Sequence, residues 1–137
     1  MAKQKKRWIY SPPKPSKPII SNDIKEELTQ KSQQLIDTVL KPTYVKPPPE
    51  APQFNYLTDI WTKWYRGYLY FCTTYACPGP SALSPSFEAR FARMEYTGYG
   101  KFNLAYMRHT GQWAEIFTGL TVDECLDTIK NEPYFHP

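Results

Sequence analysis

Histidine, cysteine and glycine are scarce in this 137-residue chain, at two, three and six residues. That is a thin supply of ligands and nucleophiles. The cysteine count is odd, and Cys72-x4-Cys77 has no matching second pair, so neither a disulfide framework nor a four-ligand zinc site fits the spacing. There is no glycine-rich phosphate loop and no His-x-x-x-His pair. No run of about 20 uncharged apolar residues occurs, which argues against a helical membrane span. The basic N-terminus is not followed by an apolar segment, so it does not read as a secretory signal. Together with the unpaired cysteines, this points to a reducing, cytoplasmic setting. We therefore expect no catalysis, no metal and no cofactor. The minor enzymatic alternative centres on His109, beside Arg108 at a hairpin corner.

Acid is also missing from residues 1–20, where Lys3, Lys5, Lys6, Arg7, Lys14 and Lys17 stand unopposed. With 17 bases and 13 acids in the whole chain, the remainder carries a net charge of −2. A basic arm on a nearly neutral body attracts phosphate or an acidic surface. Proline, by contrast, is abundant, and nine of the 14 prolines fall in the first 52 residues. Pro12, Pro13, Pro15 and Pro18 alternate with lysines and favour an extended, flexible polyproline-type arm. At about 3.1 Å per residue, it would reach on the order of 60 Å. Trp8, Ile9 and Tyr10 interrupt it with an apolar anchor, for packing on the body or presentation to a partner.

Ser21, Asn22 and Asp23 are N-cap candidates for an amphipathic helix over 23–40, stopped at Lys41-Pro42. Residues 41–53 then form a stiff proline-rich connector. From Phe54 onward aromatics dominate. Leu57, Trp61, Trp64, Tyr68, Phe71 and Tyr75 recur at spacings of 3 and 4, which predicts a helix ending near Cys77, with Gly67 as a mid-helix cost. Residues 78–86 read as a loop. Strands are expected over 87–96, 101–109 and 112–117, with turns at Gly98-Tyr99 and Thr110-Gly111. Those turns pair Arg93 with Leu104, Phe91 with Tyr106, and Arg108 with Trp113. Thr121-Val122-Asp123-Glu124 is a capping box opening a last helix, with Val122, Cys125, Leu126 and Ile129 as its buried stripe. The expected fold is α+β: helix, three-stranded antiparallel meander, helix. It divides into a basic arm (1–20), an amphipathic helix with its connector (21–53) and a compact domain (54–137).

The expected pairing gathers Phe91, Arg93, Phe102, Tyr106, Arg108 and Trp113 on one sheet face. Aromatics flanked by arginines on a sheet are how several RNA-binding modules stack unpaired bases. The plainer alternative is a core face with arginines snorkelling at its rim. The element order is similar to a double-stranded-RNA-binding domain, yet the last helix carries Asp123, Glu124 and Asp127 where such domains present lysines. The stretches Phe91-Ala92-Arg93-Met94-Glu95-Tyr96 and Met107-Arg108-His109-Thr110-Gly111-Gln112-Trp113 resemble a family of small uncharacterised bacterial proteins, over the C-terminal half. The resemblance implies a bacterial, non-secreted protein and carries over no functional residue. The chain reads as a non-enzymatic binding protein that contacts nucleic acid, RNA or a ribonucleoprotein above all. Lys3, Lys5, Lys6, Arg7, Lys14 and Lys17 would meet phosphate, and Trp8, Tyr10, Arg93 and Arg108 would add selectivity. The alternative is a protein–protein adaptor whose proline segments dock in a partner's acidic or aromatic groove.

Overall fold

The structure, a computed structural model, describes residues 18–137. Residues 1–17 of the expected extended arm, with Lys3, Lys5, Lys6, Arg7, Trp8, Tyr10, Lys14 and Lys17, lie outside the described residues, while Ile20 at its end packs against the core.

Ser21 caps α1 (Asn22–Leu35), its hydroxyl accepting the Ile24 N–H at 3.2 Å. The helix does not stop at Lys41-Pro42, as its sequence suggests. A π-helical turn (Ile36–Leu40) carries it into α2 (Lys41–Tyr44). In a strict α-helix a proline ring collides with the carbonyl four residues earlier. Here the wider turn, with the Lys41 N–H donating to the Ile36 carbonyl, lets the chain run on past Pro42. Leu28, Ile36 and Leu40 on this helix are fully buried against the sheet. Polar ties set its position: Trp64 Nε1–H donates to Thr29 Oγ1 at 2.8 Å, and Lys41 meets Asp59 at 3.1 Å.

The segment read as an aromatic helix over 54–77 is two strands, β1 (Tyr56–Tyr65) and β2 (Tyr68–Ala76). Both of its faces are apolar, so strand alternation is hidden and a 3–4 spacing arises by coincidence. The turn between the strands decides the matter. Tyr65 pairs with Tyr68 across Arg66 (φ 50°) and Gly67 (φ 81°), the two left-handed residues of a type I′ hairpin. With β3 (Ser86–Gly98), β4 (Lys101–Met107) and β5 (Trp113–Leu120), the sheet is a five-stranded antiparallel meander in the order β1-β2-β3-β4-β5. The three-stranded expectation was an undercount.

Register also departs from expectation, by one residue in each of the last two hairpins. The β3–β4 turn sits at Tyr99-Gly100, both at positive φ, with an irregularity between Tyr96 and Gly98. Arg93 therefore faces Ala105, and Tyr106 faces Ala92. The β4–β5 turn takes three residues, His109 to Gly111, closed by Arg108 N–H to the Gln112 carbonyl at 2.8 Å, so Trp113 faces Met107. A one-residue slip sends a strand's side chains to the other face of the sheet. Phe102, Leu104 and Tyr106 thus join Ala92 and Met94 on the inner face, away from Arg93 and Trp113.

Thr121 and Glu124 form the expected capping box of α3 (Val122–Asn131), and Val122, Cys125, Leu126 and Ile129 are buried as the stripe requires. A following 3-10 turn (Pro133–Phe135) delivers Phe135, with no exposed surface, to the core beside Tyr106 and Phe117. The core is one layer, between the inner sheet face and the helices.

Candidate nucleic-acid interface

Strand alternation leaves a second face. With Leu69, Phe71, Ala92, Met94, Phe102 and Leu104 in the core, the alternate positions face outward: Trp61, Lys63 and Tyr65 on β1, Tyr68 and Tyr70 on β2, Arg90 and Arg93 on β3, Ala105 on β4, and Trp113 on β5. Among the described residues, the helices pack their apolar stripes on the inner face and not on this one.

Arg90 and Arg93 share the outer face because of a bulge. Phe71 pairs with Ala92 and Cys72 with Arg90, so Phe91 is the extra residue and its ring joins the core, edge-on to Phe71. Without that bulge, positions 90 and 93 would lie on opposite faces. Each guanidinium is seated on aromatic rings. Arg90 lies over Tyr70 at 4.4 Å, while Arg93 lies over Tyr68 at 4.8 Å and Trp113 at 4.9 Å. Tyr70 is buried beneath them, 5.8 Å from Tyr68 and 5.7 Å from Trp113. At one end Arg66 covers half-exposed Tyr65 at 5.1 Å. Such pairs hold a guanidinium in place, at about 0.5–1 kcal/mol each when exposed and about 2 when desolvated, and leave its N–H edge available. Ala105, between Arg93 and Glu115 in the cross-strand row, makes room for the long neighbours.

Glu88, Glu95 and Glu115 lie on the same side, so the face is close to neutral. Its long-range attraction for phosphate is accordingly small. Cys72, between Trp61 and Arg90, is buried, and desolvation pushes its thiol pKa up despite the nearby arginine. Burial likewise raises the Cys125 thiol to about 12. Both stay protonated at neutral pH and are poor nucleophiles.

Of the residues expected at a mixed face, the structure brings Arg93 and Trp113 together. Phe91, Phe102 and Tyr106 belong to the core or pack against it, and Arg108 is exposed at the β4–β5 tip beside exposed His109. Tyr68, Tyr70 and Arg90 are hidden in the sequence, because the aromatic spacing over β2 reads as a helix and nothing local announces the bulge. The Arg66-Gly67 dipeptide between two aromatic runs is the available signal, as a two-residue hairpin turn. Among the described residues no three of His, Cys, Asp and Glu gather as a metal site would need. No described helix is long and apolar enough to cross a membrane. An open hollow of about 490 Å³ beside Phe54, Cys77, Leu83 and Phe87 has no charged side chain in its lining.

Helices on one side of an antiparallel meander and a field of arginine–ring pairs on the other define an α+β protein organised around a sheet face. Residues 20–137 match the family described as a domain of unknown function, DUF3024, and the chain belongs to that family. No curated protein and no solved structure matches it.

Proposed function

We propose that this is a non-enzymatic, cytoplasmic protein that binds nucleic acid, RNA by preference, with its basic N-terminal arm and its outer sheet face sharing the work. The observation that supports this most is the set of guanidiniums seated on rings, Arg90 on Tyr70 and Arg93 on Tyr68 and Trp113. Planar cations and aromatic rings are the surfaces on which bases stack. The body from Pro18 onward has a net charge of −2, so phosphate attraction falls to Lys3, Lys5, Lys6, Arg7, Lys14 and Lys17. If all six touched phosphate, the log–log salt slope on a single strand would be about −4. The test is binding of mixed-sequence RNA at two salt concentrations by the full-length chain and by a variant with all six bases changed to Gln. Steeply salt-dependent binding by the first and a flattened slope for the second are expected. No binding by the native chain at low salt would overturn the proposal.

A second reading has one observation in its favour. Pro47, Pro48 and Pro49 are exposed in the connector, as an adaptor docking in a partner's aromatic groove requires. Such docking is mostly apolar and would barely respond to salt.

A further inference from the structure

We infer that the outer sheet face reads unpaired bases, so that the nucleic acid this protein takes is single-stranded where it touches β2, β3 and β5. The inference rests on the nucleic-acid reading above and adds the form of the ligand. Three features carry it. First, the planar groups are set into a sheet face, with Tyr70 tilted 38° to Tyr68 and 49° to Trp113. Tyr70 is buried, and Tyr68, Arg93 and Trp113 are half-buried, so the site is a sheet surface and not the helix or two-stranded ribbon that a duplex groove admits. A duplex keeps its base faces stacked inside, and only an unpaired base has a face to offer.

Second, Arg90 is exposed yet held 4.4 Å over a buried ring. Tyr70 holds this guanidinium at the face, and its exposed part is the platform for a base. Arg93, held by two rings and half-buried, adds its N–H edge as a second contact across the Phe91 bulge. Two strand positions on one face stand about 7 Å apart, enough to separate two neighbouring splayed bases. Third, the face is nearly neutral, with Glu88, Glu95 and Glu115 beside Lys63, Arg66, Arg90 and Arg93. It contributes contacts to bases with little contribution from charge. Base contact and phosphate contact are thus separated in the chain, and salt distinguishes them.

The experiment uses the full-length protein and a fluorescent 12-nucleotide RNA in three forms: single-stranded, annealed to its complement, and with abasic residues replacing the nucleosides. Native protein, Arg90→Lys and Trp113→Ala are titrated at 50 and 200 mM salt. The single strand should bind about tenfold or more tighter than the abasic or duplex form, the scale of base–aromatic stacking. Arg90→Lys keeps the charge and removes the plane. It should weaken single-strand binding several-fold with an unchanged salt slope, and leave duplex and abasic binding as they were. Trp113→Ala should do the same. Should that variant fold poorly, Arg90→Lys decides alone, because Arg90 is exposed and its loss leaves the core intact. Equal binding of the three RNA forms, or unaltered single-strand binding by folded Arg90→Lys, would overturn this inference while the nucleic-acid reading stood. Binding of none of them by native protein would overturn both.

Discussion

Replacing Phe135 by alanine tests whether the last five residues belong to the core or trail from it. Phe135 has no exposed surface and sits with its ring centroid 6.2 Å from Tyr106 and 6.5 Å from Phe117. It reaches that place because Glu132 ends α3 in extended conformation and Pro133 opens the 3-10 turn. Truncating a buried phenylalanine removes its transfer free energy and leaves a cavity, together about 3–5 kcal/mol. Domains of this size are stable by about 5–15 kcal/mol in all, so the loss is a large share. At about 3–4 °C per kcal/mol, the melting temperature should fall by roughly 10–20 °C. Urea unfolding followed by circular dichroism should show a lower midpoint with an unchanged slope, since the surface exposed on unfolding hardly differs. A loss below about 1 kcal/mol would refute the reasoning, because a ring in a packed core cannot be removed so lightly.

Thr121→Ala breaks the capping box, in which Thr121 Oγ1 accepts the Glu124 N–H at 3.2 Å and Glu124 accepts the Thr121 N–H at 2.9 Å; about 1 kcal/mol should be lost in chemical denaturation. Ser32→Ala should stabilise the protein by about 1 kcal/mol, since the buried Ser32 hydroxyl has no hydrogen-bond partner among the described residues and alanine is the better helix former; a lower midpoint would count against that. Cys125 is held protonated in the fold, with its pKa raised from 9.0 to about 12 by burial. A raised folded-state value contributes stability in full below about pH 9 and loses it as pH climbs toward 12, so Cys125→Ala should show a shallower decline across that window in pH-dependent unfolding. A thiol reagent at pH 8 should label half-buried Cys77 in native protein, and reach buried Cys72 and Cys125 only on unfolding, as peptide mapping would report.

Where a signal is local, the chain shows it plainly. Thr121 and Glu124 sit three residues apart and cap α3, and Val122, Cys125, Leu126 and Ile129 turn to one side because a helix repeats every 3.6 residues. Ser21 opens α1 for a similar reason. The α+β class, the loop after Cys77, three of the strands and the basic N-terminal charge are likewise local properties of composition and periodicity. The family resemblance seen in residues 91–113 holds across 20–137.

The site depended on what is not local. Leu57 to Tyr75 shows a helical spacing while apolar residues on both faces hide its strand alternation, and pairing settles the choice, because Arg66-Gly67 folds β1 onto β2 and satisfies both backbones at once. Register is the second case. Moving the β3–β4 turn by one residue costs little locally, but it decides whether Phe102 and Tyr106 meet the helices or the solvent, and burying them favours the observed pairing. The third is the bulge at Phe91, which buries one more ring and thereby turns Arg90 outward beside Arg93. Composition alone thus determined a basic N-terminal charge and an aromatic-rich remainder. Which aromatics became core and which became a seat for arginine was decided by strand pairing, since a side chain's face is set by the neighbours that its backbone bonds to and not by its own chemistry.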